Sequence, residues 1–278
     1  SILRSHLSAI DSRANTPGKR SDTLARALQQ IGDKYEVIRL LGEGGMGAVY
    51  LVRHRLLDDL RVVKIMHSQL EEDSDQKTRF LREAKAAVQL KQPNNAHVHD
   101  FWIDESGEAF MVMEYIEGLN LVELLKRHGL PEQDLSLSIG RQSLRALGYL
   151  HSKQFVHRDV SPDNLMLTRD VDDRPLIKLI DLGIAKDINA DANLTRAGSF
   201  IGKMHYASPE QFEPPKDGAE IDGRSDLYSF GIVLYLLLTG KYPIQGEKGS
   251  ALIAGHLLMP PMSFEDSDPQ GRVPERLR

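Results

Sequence analysis

Three stretches near the start of the chain, Tyr35–Leu41, Ala48–His54 and Leu60–Met66, alternate or run with apolar and β-branched residues between Gly-rich and Asp-rich turns. Side chains that switch faces at every second residue predict three antiparallel strands here. The period then changes: Phe80, Ala84, Ala87 and Val88 recur at helical spacing, which predicts a helix over residues 74–91. Val98–Asp104 and Glu108–Tyr115 predict a hairpin turning at Glu105-Ser106-Gly107. From Asn120 onward the pattern is mainly helical, with helices expected over Asn120–His128, Asp134–Ser152 and Ser225–Thr239. Residues 153–224, between the last two, are loop-rich, with short strands expected at Leu165–Thr168 and Leu176–Leu179. Loops that long inside a compact domain usually carry function. Ahead of these elements, residues 1–20 are polar and read as a flexible arm, and residues 22–31 fit one short helix with Leu24, Leu28 and Ile31 on a face. The pattern is that of an α+β chain, a small antiparallel-sheet lobe with one main helix followed by a larger, mainly helical lobe.

Composition narrows the function classes. With 278 residues, 41% of them apolar, the chain can bury a core in one large domain or in two lobes around a cleft. A net charge of −5 gives no overall positive field, so neither nucleic acid nor an anionic membrane is an expected partner. The absence of cysteine excludes disulfides, thiolate metal sites and thiol nucleophiles, and fits a reducing cytoplasm. The longest apolar run, Leu227–Leu238, is interrupted by Ser229 and Gly231 and falls short of the roughly 20 residues of a membrane helix. It reads as a buried core helix. The first residues show no sustained apolar segment or cleavage site, and the absence of a starting Met fits a fragment.

The segment LGEGGMGAVYLV, Leu41–Val52, places four glycines in six positions, and Gly42, Gly44 and Gly47 satisfy G-x-G-x-x-G. Many surface turns meet that spacing. A dinucleotide fingerprint opens a helix, because the pyrophosphate sits on the helix N-terminus, yet AVYLVRH here is strand-like. Strand, glycine loop and strand form instead a hairpin whose backbone N–H groups approach nucleotide phosphates because no side chain intervenes. Such a hairpin predicts a lysine on the next strand, and RVVKIM supplies Lys64.

With these residues in order, the chain resembles the eukaryotic-type protein kinase family, and within it the bacterial serine/threonine kinases, from about Tyr35 to its end. The resemblance implies a two-lobed protein kinase-like fold: residues 1–34 an N-terminal arm, 35–116 the N-lobe and 117–278 the C-lobe. It implies ATP and Mg²⁺. Leu41, Gly42, Glu43, Gly44, Gly45, Met46 and Gly47 would cover the nucleotide, and Lys64 would hold its phosphates while pairing with Glu83 of RFLREAK. HRDVSPDN, His157–Asn164, is the most specific motif. Phosphoryl transfer needs a carboxylate to orient the incoming hydroxyl and an amide oxygen to help hold magnesium, and Asp159 and Asn164 stand at that spacing. DLG, Asp181–Gly183, supplies Asp181 as the main magnesium carboxylate. ASPE, Ala207–Glu210, resembles the end of the activation segment, and SDLYSFG, Ser225–Gly231, the start of the central helix, where Asp226 would anchor the catalytic loop. By the same carry-over Val49 and Val62 cover the adenine, Met166 lies beneath it, Met113 is the gatekeeper, and Glu114 and Ile116 offer hinge groups.

Three departures stand out. The catalytic-loop lysine expected two residues after Asp159 is Ser161, and the threonine expected after Gly202 is Lys203. Their positions are expected to be neighbours, so Lys203 is a candidate to supply the missing charge. The chain also ends at VPERLR, where the family continues through further helices, so the C-terminal helices are expected to be missing and the large lobe incomplete. Val62, where the family usually has alanine, tightens the adenine pocket slightly.

Arg158 before the catalytic aspartate implies control by phosphorylation, with Thr195 and Ser199 the candidate acceptors. The absence of an arginine after Ser161-Pro162 favours serine/threonine over tyrosine substrates. The expected activity is therefore ATP-dependent phosphorylation of protein Ser/Thr hydroxyls, with self-association for trans-autophosphorylation and a cytoplasmic setting. Two rivals remain at this point: a pseudokinase that binds nucleotide or scaffolds, favoured by Ser161, and a small-molecule phosphotransferase, disfavoured by ASPE and SDLYSFG.

Overall fold

A computed structural model of the chain describes residues 31–44, 47–66, 81, 84–105, 107–181, 203–213, 220–246 and 249–278. The fold divides into two compact units, with boundaries at Gln69/Leu70, His99/Asp100 and Tyr115/Ile116.

The first unit is built on β1 (Tyr35–Gly44), β2 (Gly47–His54), β3 (Leu60–Met66), β4 (Val98–Ile103, whose first two residues count with the second unit) and β5 (Ala109–Glu114), in the sheet order β1-β2-β3-β5-β4. β1 and β2, β2 and β3, and β3 and β5 pair antiparallel, as the alternation predicts. One face of the sheet is dry. Ala48, Tyr50, Val52, Val63, Ile65, Phe110 and Val112 pack there with Ile31 and Tyr35, and Trp102 stacks on Phe110 at 4.9 Å. Each large side chain removed from water here contributes about 1.5–3 kcal/mol, which fixes the register, since a one-residue slip would turn these groups outward. The expected 22–31 helix lies outside the described residues except for Ile31, which is helical and buried.

In the second unit residues 84–89 are helical, within the expected 74–91 helix, whose remaining residues other than 81, 90 and 91 lie outside the described ones. β6 (Leu119–Asn120) leads into α1 (Leu121–His128), and α2 runs over Gln133–Ser152. A 3-10 turn at Pro162–Asn164 precedes β7 (Leu165–Arg169) and β8 (Pro175–Leu179), which form a small sheet in the order β6-β7-β8. Then come α3 (Pro209–Phe212), α4 (Gly223–Thr239), α5 (Ser250–Leu258) and α6 (Phe264–Ser267). Asn120 caps α1 through a reciprocal pair with Glu123, and Gly240 ends α4 in the left-handed conformation.

α4 starts two residues before the expected Ser225, because Asp222 accepts from the Arg224 N–H as its cap. Its apolar run is not buried all round: Phe230, Ile232, Val233 and Leu237 are inside, while Leu227 is 47% exposed. The outer edge of β8 is closed by the side chains of Asn94 and Gln142 and by the Asn94 backbone. The Asn94 amide donates to the Ile177 carbonyl at 2.8 Å, the Ile177 N–H donates to Gln142 Oε1 at 2.9 Å, and the Asn94 carbonyl accepts from the Leu179 N–H at 2.7 Å. An unpaired edge would otherwise cost hydrogen bonds or invite another chain. Among the described residues no helix is long and apolar enough to cross a membrane.

Candidate active site

The loop from His157 to Asn164 is held from beneath by Asp226, in the first turn of α4. This fully buried carboxylate accepts the backbone N–H of His157 at 2.9 Å and of Arg158 at 2.8 Å, and lies 2.8 Å from His151 Nε2. These bonds hold Arg158 at φ 60°, a left-handed conformation that a non-glycine residue keeps only when its surroundings impose it. His157 ties the loop to the next motif. Its Nδ1 accepts from the Asp159 N–H at 3.3 Å, which puts the ring proton on Nε2, where it donates to the Ile180 carbonyl at 3.0 Å. The Ile180 N–H donates to the Asn164 carbonyl at 2.9 Å, and the Asn164 amide nitrogen donates to the Asp159 carbonyl at 2.7 Å.

One hydrogen-bonded network thus fixes the backbone at Asp159, Asn164 and Ile180. Asp181 follows directly, also at a left-handed φ of 58°. With the Asn164 nitrogen committed, its side-chain oxygen is the end left for an electrophile. Asp159 and Asn164 are buried, and Arg158 and Asp181 partly exposed.

Lys203 enters this network from elsewhere in the sequence. Its Nζ forms an ion pair and hydrogen bond with Asp159 Oδ2, across 44 residues of chain. Burial works to lower the Lys203 pKa, but the carboxylates of Asp159, Asp181 and Asp163 outweigh it, so the ammonium is held above its ordinary range and stays charged. Its backbone rests on a shelf. The Tyr206 N–H donates to the Lys203 carbonyl at 3.0 Å, the Tyr206 and Tyr242 hydroxyls meet at 3.1 Å, and the His205 ring stacks on Tyr242 at 4.3 Å. Burial, then the Tyr242 bond, raises the Tyr206 phenol, so it remains protonated. Further along, Ser208 and Ser225 share a 2.7 Å hydroxyl bond, and the Gln211 amide donates to the Arg158 carbonyl at 3.0 Å. Ser161 is 1% exposed, and its hydroxyl finds no hydrogen-bond partner among the described residues.

In the first unit, strand register sorts the candidate nucleotide residues onto one face. Val49 pairs with Lys64 and Lys64 with Met111, while Val62, two residues from Lys64, pairs with Met113. Cross-strand partners project from the same side. This side lies opposite the dry core face, and Val49, Val62, Lys64 and Met113 on it are all partly exposed. Leu41, Gly42 and Glu43 are exposed on β1, Gly44 closes the strand, and Glu114 ends β5 opposite Arg61. Gly47 has φ 140°, and a Cβ there would stand 1.9 Å from the Ile65 carbonyl oxygen, so glycine is required.

Ile116 and Met166 belong to the second unit, Met166 on β7 opposite Asn120 and Lys178. Gly45, Met46, Glu83, Thr195 and Ser199 lie outside the described residues. Sequence reading missed Gln211, His151, the Ser208–Ser225 bond and the Tyr206–Tyr242 pair. Each acts on a partner distant in sequence; Gln211, Ser208 and Ser225 lie in or beside ASPE and SDLYSFG and His151 just ahead of HRDVSPDN, while Tyr242 lies outside every motif.

Comparison with known proteins agrees with this architecture. The protein kinase domain model matches residues 35–270. The serine/threonine-protein kinase pkn3 of Myxococcus xanthus is 37% identical over 246 residues, covering 87% of this chain and 44% of its own length. PrkC of Bacillus subtilis is 35% identical over 229 residues, covering 82% and 34%. The chain therefore spans less than half the length of these relatives. Among solved structures, the kinase domain of Mycobacterium tuberculosis PknI superposes with a TM-score of 0.62 at 26% identity, covering 85% of this chain and 82% of that one. Rad53 (1–466) in complex with AMP-PNP gives 0.69 at 25% identity, covering 92% and 62%. With its HRDVSPDN loop anchored on a buried aspartate, and with these relatives, the chain belongs to the protein kinase family, among the serine/threonine protein kinases related to those of bacteria.

Proposed function

We propose that this chain transfers the γ-phosphoryl group of ATP to serine and threonine hydroxyls of proteins. The observation that carries the reading is the single network fixing Asp159, Asn164 and the residue before Asp181. In the transfer, the acceptor oxygen bonds to the γ-phosphorus as the bond from that phosphorus to the β–γ bridging oxygen breaks, its electron pair leaving with ADP. The hydroxyl proton goes to the Asp159 carboxylate. Little covalent work falls to the protein in such a loose transition state, so positioning and charge dominate.

The donor set suits magnesium. The carboxylate of Asp181 and the amide oxygen of Asn164 are hard oxygen ligands, few enough to leave room for phosphate oxygens and water. Bound there, the metal supplies positive charge to the β- and γ-phosphates. Lys64, on the open sheet face, is assigned to the α- and β-phosphates with Glu83 as its partner, and Val49, Val62, Met113 and Met166 to the adenine. The glycine loop, Leu41 to Gly47, would cover the phosphates. Arg158 is assigned to a phosphate placed on Thr195 or Ser199 by a second copy of the chain, as the site's regulation. A cytoplasmic setting follows from the need for ATP.

The test is incorporation of radiolabel from γ-labelled ATP into the chain itself and into a basic protein acceptor, with Mg²⁺ and with chelator. Label on Ser or Thr that depends on Mg²⁺ and is abolished by Asp159→Asn is expected. Nucleotide binding without transfer to any protein would overturn the reading in favour of a scaffolding role.

A further inference from the structure

Resting on the kinase reading above, we propose that Lys203 is a catalytic residue that carries the positive charge on the transferring phosphoryl group, a charge the catalytic loop itself lacks. The motif HRDVSPDN contains one cation, Arg158, whose backbone is turned through the left-handed region and bonded to Asp226 and Gln211. Ser161 is uncharged and buried, with a hydroxyl that meets no partner among the described residues. The ammonium seated on Asp159 is that of Lys203, which reaches in from the segment ahead of ASPE.

Geometry makes this pairing more than neutralisation. An acceptor hydroxyl giving its proton to Asp159 must lie about 2.6–3.2 Å from that carboxylate, and its oxygen then stands about 3–3.5 Å from the phosphorus it attacks. A cation bonded to the other oxygen of the same carboxylate is therefore within one side-chain adjustment of the phosphoryl oxygens. Lysine suits the position, with three rotatable donors on a flexible stem: one stays on Asp159 Oδ2 while the others meet phosphoryl oxygens. Its carbonyl, held by the Tyr206 N–H, and the Tyr206–Tyr242 and His205–Tyr242 contacts of the residues that follow fix the backbone from which the stem departs. The charge thus comes from Lys203, ahead of Ser208, rather than from the catalytic loop, so its loss is expected to fall on turnover and not on nucleotide binding.

Steady-state phosphorylation of a protein acceptor and the affinity for a fluorescent ADP analogue are measured on the full chain carrying Lys203→Ala, Lys203→Gln, Lys203→Arg, and Lys203→Ala with Ser161→Lys. Thermal unfolding shows which variants fold, and Lys203→Gln serves where alanine does not. Loss of the charge is expected to lower kcat about 10²–10³-fold while nucleotide affinity moves less than about threefold, the split expected of a contact made only in the transition state. Lys203→Arg, or lysine returned at Ser161, is expected to recover at least about tenfold of kcat. An active wild type whose folded Lys203→Ala or Lys203→Gln keeps its turnover overturns the assignment alone. So does a loss that appears as weakened nucleotide binding, or one recovered by neither cation. A wild type that binds nucleotide and phosphorylates no protein overturns the kinase reading and this assignment with it.

Discussion

Asp226 and Arg158 sit 68 residues apart in sequence, yet the Asp226 carboxylate takes the Arg158 N–H at 2.8 Å and holds that residue at φ 60°. Its other oxygen takes the His157 N–H at 2.9 Å. A carboxylate offers acceptors alone, so it can serve both N–H groups, whereas an amide must turn its NH₂ toward one of them.

Asp226→Asn is accordingly expected to destabilise the chain by about 1–3 kcal/mol and to lower the unfolding temperature by roughly 4–10 °C. The catalytic loop would lose its register, and displacements of that kind cost about 10²-fold in turnover. Differential scanning calorimetry with steady-state kinetics checks both, and the affinity for nucleotide should change little.

Gly42 and Gly47 separate fold from function within one hairpin. A Cβ at Gly42 meets nothing within 4 Å, while one at Gly47 strikes the Ile65 carbonyl at 1.9 Å and demands φ 140°. Gly47→Ala is expected to cost about 2 kcal/mol or more, seen as a lower urea midpoint. Gly42→Val should leave that midpoint unchanged and, on the proposed function, raise the KM for ATP about tenfold, because the side chain would occupy the proposed approach of the phosphates.

How far sequence reading could reach depends on where each interaction closes. The strands around Lys64 were legible because alternation is local and the dry face built from Tyr50, Val52, Val63 and Ile65 repeats it on neighbouring strands. The anchoring of the HRDVSPDN loop on Asp226 was legible because the family resemblance ties SDLYSFG to that loop. The closure of β8 by Asn94 and Gln142 was not, since those side chains satisfy backbone groups dozens of residues away. The Lys203–Asp159 contact was anticipated from two paired departures from the family pattern, Ser161 in place of a lysine and Lys203 in place of a threonine, rather than from any periodicity. Nor does any local pattern reveal the shelf of His205, Tyr206 and Tyr242, which two aromatic contacts and one hydroxyl bond assemble in space.

Tyr242 tests that shelf without touching the reacting atoms. Tyr242→Ala removes the His205 stack and the Tyr206 hydroxyl bond, and Tyr242→Phe removes only the bond. The alanine variant is expected to lose about 1–2 kcal/mol of stability and about tenfold in kcat, as a positioning residue acting through Lys203 should. The phenylalanine variant, which keeps the stack, should retain most of both. Equal kcat in wild type and Tyr242→Ala would separate the shelf from catalysis.

His256 gives the second unit an acid sensitivity of definite sign. On α5 it is buried against Phe212 and Tyr228, with the Tyr228 hydroxyl 2.9 Å from Nδ1. Burial, reinforced by the neighbouring His205, pushes its pKa down from 6.5 to about 4, and the Met204 carbonyl works in the opposite direction. Above the unfolded value both states hold the ring neutral, and its contribution to stability is fully present. As pH falls from 6.5 toward 4, the unfolded chain takes up a proton that the folded chain refuses, so that contribution is progressively lost. Across the whole window the loss amounts to about 2–3 kcal/mol. His205, also depressed by burial, adds in the same direction. Because Met204 directly follows Lys203, His256 titrates beside the stretch that carries the ammonium to Asp159. Urea midpoints for wild type and His256→Gln at pH 7.5 and 5.0 read the effect as a difference, since other groups titrate in both chains. The wild-type midpoint should fall more steeply on acidification, and parallel pH profiles would show that His256 takes up its proton in the folded state.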